Sequence, residues 1–525
     1  MTTAQASGPF YITTPIYYVN DVPHIGHAYT TLACDALARF MRLDGRDVKF
    51  LTGTDEHGQK VEKAAAAAGV SPQAFVDRNA DNFRALTRTM GFSNDDFIRT
   101  TEPRHVRAVQ ALWSRLVEKD EIYLGSYSGW YAVRDEAFYG EKELTEGPGG
   151  KKLAPSGAEV EWVEEPSYFF RLSKWQEPLL KFYADHPEAV GPDSRRNEVM
   201  SFVKGGLADL SISRTTFTWG IPVPNDPRHV IYVWLDALAN YMTAVGYPDM
   251  ESADFKRYWP ADVHMVGKDI VRFHAVYWPA FLMAAGIDPA KRVFAHGWWT
   301  NEGQKISKSL GNVIDPNELV ATYGLDPVRY FLLREVPFGA DGDFSRRAMI
   351  GRLNADLANA FGNLAQRTLS LVQKNCDGKV PPHGAFAAED AALVKAAHDL
   401  LDDLRPLMAE PAFHKALTAI WDVVAEANRY IDTAAPWSLA KTDRERMSTV
   451  LYTLAETIRA LAILTQPFMP TSMGKILDQL AVAPGARSFA ALAHALTPGT
   501  ALPKPEGVFP RYVEPGTEAG KGKKG

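Results

Sequence analysis

The sequence predicts an α/β protein: a doubly wound parallel sheet, broken by a β-rich insertion and followed by an α-helical bundle. Three observations carry that expectation. Strand and helix signals alternate through residues 1–121 and again over 215–295, the order that builds parallel sheets with right-handed crossovers. Between them, from Ile122 to Arg214, aromatics, glycines and short alternating runs take over. Past Arg347 the apolar residues recur with helical spacing.

The elements follow in order. Residues 10–16 read as a short buried strand. Pro23 closes the next loop, and a helix starts near His24 with Ala28, Leu32, Ala36 and Phe40 on one face. Residues 48–54 form a second strand. Gly58 opens a helix that ends at Gly69, and Ser71-Pro72 supplies the cap and first-turn proline of another. In the insertion, 122–214, the strand signals are residues 127–139 and Tyr168-Phe169-Phe170. The α/β pattern is expected to resume with a strand over 230–234, then Val263–Gly267 with a strand-to-helix turn at Gly267-Lys268-Asp269, then Val293–His296. Residues 296–350 form a connecting region. In the bundle, 351–513, Met447, Leu451, Leu454, Ile458 and Leu461 make one stripe, and Phe413, Leu417, Ile420 and Val424 another; Pro467 and Pro470 interrupt the packing order. The Gly/Lys-rich tail, 514–525, is expected to be disordered.

Bulk composition narrows the classes. With 525 residues, 46% of them hydrophobic, the chain can bury more than one large core. A net charge of -6 excludes attachment to nucleic acid by bulk charge and leaves room for a local basic groove. Cys34 and Cys376 are the only cysteines, so neither a disulfide framework nor a Cys-based zinc site is available, and a cytoplasmic location fits. The polar residues before Phe10 leave no room for an export signal, and no uninterrupted apolar run is long enough to span a membrane.

Two short strings carry the chemistry. In His24-Ile25-Gly26-His27 the two imidazoles are three residues apart at a helix start and share a face. Free N–H groups and partial positive charge at that end suit a triphosphate, and Gly26 lets a nucleotide approach the backbone. Read alone, the string is equally a pair of histidines satisfying a helix cap, or half a metal site. In Lys305-Ile306-Ser307-Lys308-Ser309, flanked by Gly303 and Gly311, two ammonium groups on a hinged loop can close over phosphates, with Mg²⁺ sharing the charge. Gly267 and Asp269 have the logic of a ribose-binding turn, or of an ordinary capped one.

In this order, around such a sheet, the two strings resemble the His-x-Gly-His and Lys-Met-Ser-Lys-Ser signatures of class I aminoacyl-tRNA synthetases, with Ile306 in place of Met. Four further segments, residues 13–20, 53–58, 232–242 and 267–274, narrow the resemblance to the methionyl-tRNA synthetase family over about residues 10–510. The resemblance implies a Rossmann-type catalytic domain that forms methionyl-adenylate from ATP and L-methionine with Mg²⁺, then charges tRNA(Met). His24, Gly26, His27, Gly267, Asp269, His296, Lys305, Ser307, Lys308 and Ser309 would handle ATP. Ile16, Tyr18, Trp234, Ala237, Leu238, Tyr241 and His274 would enclose the methionine side chain, with backbone contacts from Pro15. Asp55 would pair with the α-ammonium, and Arg214 would hold Asp55 and help place the carboxylate. A polarizable thioether favours aromatic edges, which agrees with such a slot. Residues 296–350 would contact the tRNA stem, and the helical domain would read the anticodon through Asn363, Arg367 and Trp437.

The resemblance is not complete. Many family members carry zinc knuckles in the insertion, but here Ala132 and Asp135 stand where the first ligand pair is expected, so no structural zinc and no protein-held metal are predicted. The insertion is too small for a hydrolytic editing domain, and without an appended tRNA-binding domain a monomer is expected. Three rival readings remain at this stage: a synthetase for another apolar amino acid, a non-catalytic tRNA-binding relative, and a small-molecule nucleotidylyltransferase.

Overall fold

The computed structural model describes residues 8–20, 22–135, 137–306 and 310–514, with the backbone alone at Tyr127 and Glu165. The chain divides into two compact units, one of Pro9–Asp35 and Val48–Trp298, the other of Met1–Gly8, Ala36–Asp47 and Trp299–Gly525.

In the first unit β1 (Pro9–Thr13), β2 (Tyr17–Tyr18), β3 (Asp47–Asp55) and β4 (Asp96–Arg99) alternate with helices. The strand expected over 10–16 ends at Thr13, and the next strand starts only at Tyr17. Pro15 has no N–H to donate, and the ladder breaks around it. The helix Ile25–Leu43 begins where the sequence places it. The β3 core is buried almost without alternation, as a strand covered on both faces must be. At Gly53 a Cβ would sit 2.1 Å from the Ile98 carbonyl oxygen, so only glycine lets β3 and β4 approach this closely.

The insertion opens with β5 (Ile122–Ala132), β6 (Ala137–Tyr139), the short pair β7 (Thr145–Glu146) and β8 (Lys152–Leu153), and β9 (Glu161–Phe170). Beyond β9 it is not β-rich: Gln176–Asp185 and Asp193–Lys204 are helices, and between them lies β10 (Val190–Gly191). After β11 (Leu210–Ser211), β12 (Ser213–Arg214) and β13 (Pro222–Val223) comes β14 (Asp226–Ile231), which pairs antiparallel with β12 and β13 rather than in the parallel sheet. The strand expected over 230–234 stops at Ile231, and Val233–Leu238 is a wholly buried helix. A continuous apolar run does not reveal which of the two it will become.

β15 (Val263–Gly267) and β16 (Val293–His296) complete a seven-stranded sheet of order β10-β16-β15-β1-β3-β2, with β4 also on β3. The β1/β15, β15/β16, β10/β16, β2/β3 and β3/β4 pairs are parallel. A separate antiparallel sheet, β11-β9-β5-β6, forms the insertion. The carboxyl ends of β1, β3, β15 and β16 are Thr13, Asp55, Gly267 and His296, where ligands bind in open α/β sheets.

The second unit holds a small sheet of β17 (Trp299–Asn301), β18 (Gln304–Lys305) and β19 (Gly342–Phe344), then a run of helices. Both expected stripes are core: Phe413, Leu417, Ile420 and Val424, and Met447, Leu451, Leu454, Ile458 and Leu461, are all buried. Pro470 starts a helix, and Arg329 ties off the preceding corner by donating to the carbonyls of Pro467 and Phe468 at 3.0 and 2.9 Å. One sequence expectation fails here. The helix Arg444–Thr465 is long and apolar enough to cross a membrane by length and composition, although 94% of its most apolar 18-residue stretch is buried inside the protein. The helices Ala388–Ala409, Phe413–Ala434 and Pro470–Gln479 pack against it, and it carries a buried ion pair, Arg459 Nε donating to Glu456 Oε2 at 2.9 Å.

Candidate functional site

The first cluster is built by the amino end of the helix Ile25–Leu43. The His24 backbone N–H donates to His27 Nδ1 at 3.1 Å, and the Gly26 N–H donates to His24 Nδ1 at 3.1 Å. The two rings lie 3.9 Å apart, centroid to centroid. Burial pulls the His24 pKa down, and burial together with His24 pulls that of His27 well down, so both rings are neutral. Each Nδ1 is an acceptor; each hydrogen therefore sits on Nε2, leaving two N–H donors. Tyr17 and Phe83 pack their rings around His27 at 4.8 and 5.2 Å. Glycine at position 26 also has a steric reason within the turn itself. A Cβ there would stand 2.9 Å from His24 Cε1, so glycine makes room for the folded-back imidazole.

Gly267 and His296 are register partners at the ends of β15 and β16. His296 Nδ1 lies 2.8 Å from the Gly297 carbonyl, to which it donates, and its Nε2 takes the Thr30 hydroxyl at 2.7 Å. Burial lowers its pKa, against the pull of that carbonyl and of Asp269. Asp269 Oδ1 accepts from Trp298 Nε1 at 3.2 Å, and its charge also acts on His24 and His274. The structure thus gathers His24, Gly26, His27, Gly267, Asp269 and His296 in one unit.

The residues expected to enclose the methionine side chain also lie in this unit. Tyr241 donates its hydroxyl to His274 Nε2 at 2.7 Å, while His274 Nδ1 donates to the Ile270 carbonyl at 2.9 Å. Burial pushes His274 down to about 4. Trp234 stacks flat on Phe273 at 3.7 Å and meets His274 edge-on at 6.3 Å. Its buried Nε1 has no hydrogen-bond partner among the described residues. Ala237 and Leu238 are buried on the same short helix, and Pro15 is buried, with its carbonyl accepting from the Thr14 hydroxyl at 2.7 Å. Ile16 and Tyr18 pack against this core half-buried, and Asp55 is buried at the end of β3.

Arg214 Nη1 donates to Ser213 O at 2.7 Å and to Ser211 Oγ at 2.9 Å, and among the described residues its hydrogen bonds go to these two serines rather than to Asp55. Its guanidinium lies over Phe138, Tyr232 and Tyr131 at 4.6, 4.8 and 5.4 Å. The aromatic faces of β5 and β6 hold the cation, which sequence spacing alone did not reveal.

Sequence reasoning also missed Phe273, which covers Trp234, and His264, which stacks on Tyr241 at 4.0 Å and lies 2.7 Å from Thr13 Oγ1. His264 sits on the strand read only as leading to the turn at Gly267; its one signal was a histidine inside an otherwise apolar run. Asp236 was missed as well. It is buried between His57 and His105, with both bonds at 2.7 Å.

At the knuckle-like turn, Ala132, Ala154, Ala158 and Val160 form a small apolar cluster. Asp135 accepts from the Tyr139 hydroxyl at 2.9 Å and from Ser156. Among the described residues no three His, Cys, Asp or Glu side chains are grouped to hold a metal ion.

The remaining candidates belong to the second unit. Lys305 is exposed on β18, opposite Thr300. Ser307, Lys308 and Ser309 lie outside the described residues. Asn363 is exposed at the start of the helix Asn363–Asn375. One turn on, Arg367 sits 5.4 Å from the Trp437 ring and donates to Asp432 at 2.7 Å. Trp437 is 42% exposed just after the left-handed Ala435, where the helix Phe413–Ala434 ends.

With this geometry in hand, the chain matches two families: class I tRNA synthetases (M) over residues 10–369, and the anticodon binding domain of methionyl tRNA ligase over residues 380–519. It is 60% identical over 513 residues to the methionine–tRNA ligase of Mesorhizobium japonicum, covering 97% of this chain and 99% of that one. It is 55% identical over 517 residues to the methionine–tRNA ligase of Mycobacterium bovis, covering 98% and 100%. The solved Mycobacterium tuberculosis methionyl-tRNA synthetase in complex with methionyl-adenylate superposes with a TM-score of 0.95 at 55% identity, covering 96% of this chain and 100% of that one. The apo form of that enzyme gives 0.89 at 51% identity, covering 97% and 99%.

Proposed function

The chain belongs to the methionyl-tRNA synthetase family of class I synthetases, and from that premise we propose how its residues share the reaction. It is a methionine–tRNA ligase. The methionine carboxylate attacks the α-phosphate of MgATP, pyrophosphate leaves, and the terminal ribose hydroxyl of tRNA(Met) then attacks the acyl carbon and releases AMP. The methionyl-tRNA serves translation, including its initiation.

The protein supplies no covalent nucleophile; catalysis is positioning and charge stabilisation. The observation that carries this reading is the pair of neutral imidazoles whose Nδ1 atoms are both occupied by backbone N–H groups. That leaves the Nε2 hydrogens of His24 and His27 for phosphate oxygens as charge builds at the α-phosphorus. Asp269 takes the ribose hydroxyls, and Asp55 takes the α-ammonium. Trp234, Tyr241 and His274 line the thioether slot with Ile16, Tyr18, Ala237 and Leu238. Lys305 and Lys308, with Ser307 and Ser309, neutralise the departing pyrophosphate. Magnesium arrives with the nucleotide, as part of the substrate. Asn363, Arg367 and Trp437 read the anticodon, Trp437 by stacking.

ATP–pyrophosphate exchange, run with methionine, leucine, cysteine and no amino acid, tests the assignment; exchange that does not depend on methionine overturns it. Lys308→Ala should cut adenylate formation by about a hundredfold or more and leave methionine binding nearly intact. Weaker ATP affinity with unchanged turnover would remove Lys308 from this role. We hold the enzyme to be a cytoplasmic monomer without structural zinc, and one tight equivalent of zinc in purified protein would contradict the last point.

A further inference from the structure

Asp236 is a fully buried carboxylate whose two oxygens each meet an imidazole. His57 Nδ1 stands 2.7 Å from Oδ2, and His105 Nε2 stands 2.7 Å from Oδ1. Both histidines are buried as well. The three residues come from segments far apart in sequence. His57 follows the end of β3, two residues after Asp55. His105 lies on the helix Pro103–Glu118. Asp236 lies on the short helix Val233–Leu238, between Trp234 on one side and Ala237 and Leu238 on the other.

A buried carboxylate is expensive, and an apolar residue of similar volume would often serve stability as well or better. What a doubly bonded carboxylate adds is register, because both bonds are met only at one spacing of the three segments. Here the spacing is that between the end of β3, which carries Asp55, and the helix that carries the walls of the side-chain slot. The loop is tied down from its other side too: Trp219 Nε1 donates to the Glu56 carbonyl at 2.6 Å, and the Trp219 ring meets His57 edge-on at 5.6 Å.

We propose that Asp236, held by His57 and His105, is a positioning residue that sets the distance between the ammonium anchor Asp55 and the wall formed by Trp234, Ala237 and Leu238, and so sets the length of amino-acid side chain the enzyme accepts. The inference rests on the methionine-slot reading given under the proposed function. Asp236 touches no substrate in this scheme. It acts through the two edges it holds together.

The test uses the full-length enzyme and paired variants. His57→Asn keeps an N–H at the place of Nδ1, and His57→Leu keeps bulk without a donor. His105→Gln and His105→Leu form the matching pair, with the Gln amide standing in for Nε2. Exchange is measured with methionine and with ethionine, one methylene longer. The Leu variants should raise the methionine KM about tenfold, with the ATP KM within about twofold, because a buried carboxylate oxygen loses its donor. They should also narrow the preference for methionine over ethionine, and the Asn and Gln variants should recover most of both. Should the Leu variants fail to fold, Asp236→Asn, which keeps the shape and one acceptor oxygen, carries the same expectation. Lower stability with unchanged methionine KM and unchanged ethionine discrimination would reduce the cluster to a structural brace. Absence of methionine-dependent exchange in the unmodified enzyme would instead sink the slot reading itself.

Discussion

His274 offers the most quantitative handle on the slot. Its ring is neutral in the folded protein: Nδ1 donates to Ile270 O, Nε2 accepts from Tyr241, and burial brings the pKa from the ordinary 6.5 down to about 4. The unfolded chain therefore takes up a proton at higher pH than the folded one does. Stability is fully present above pH 6.5 and is lost as pH falls toward about 4. At about 1.4 kcal/mol for each factor of ten in proton affinity, the whole loss comes to about 3.5 kcal/mol. About 2.5 kcal/mol of it is gone by about pH 4.5. Other buried histidines, His27 and His264 among them, push in the same direction, so acid sensitivity of the enzyme alone would not isolate His274. A comparison with His274→Gln does, since glutamine keeps a donor and an acceptor and does not titrate. Urea unfolding of both proteins, followed by tryptophan fluorescence at about pH 7.5 and about pH 4.5, should show the stability advantage of the wild type over the variant shrinking by about 2.5 kcal/mol. A gap that stays constant to within about 0.5 kcal/mol would refute the claim that this imidazole is held neutral by burial.

Three further outcomes are expected. Gly26→Ala places a methyl 2.9 Å from His24 Cε1, which swings that ring off its backbone donor. Adenylate formation should drop about a hundredfold with the methionine KM little changed, as pre-steady-state pyrophosphate release would report. Phe138→Leu, which keeps apolar volume but removes the π face 4.6 Å from Arg214, should weaken amino-acid activation about two- to tenfold, and Phe138→Tyr should not. Equal losses in both variants would show that bulk alone matters there. Trp437→Ala removes the exposed indole 5.4 Å from Arg367 and should lower kcat/KM for tRNA about tenfold or more while leaving exchange unchanged. A matching fall in exchange would mean the helical domain had been damaged rather than its recognition face.

Local chemistry determined much of this protein before any coordinates. Pro23 closing a loop ahead of an apolar stripe with 3.6-residue spacing is enough to place the start of the helix Ile25–Leu43 at the two histidines. The unbroken burial of β3 and the stripes through Leu417 and Leu451 follow from patterning for the same reason: neighbours in sequence decide which face is apolar. Tertiary structure decided what depends on partners far along the chain. Whether residues 233–238 were strand or helix turned on what covers them on every side, so an all-apolar run had no period to show. Residues 172–204 are mostly helical rather than β, with Leu179, Tyr183, Val199 and Val203 buried in the core, and only β10 there joins the parallel sheet, beside β16. The Arg444–Thr465 helix had the composition of a membrane span and became a bundle core because other helices, not lipid, surround it. Arg214 was read as a partner of Asp55, yet its cation is held by rings from β5 and β6. Asp236, unremarkable in sequence, became the meeting point of His57 and His105 only once three distant segments folded together. Hydrogen bonds and ring contacts at 3–5 Å depend on which backbones end up adjacent, and that information is spread over the whole chain rather than held in any window of it.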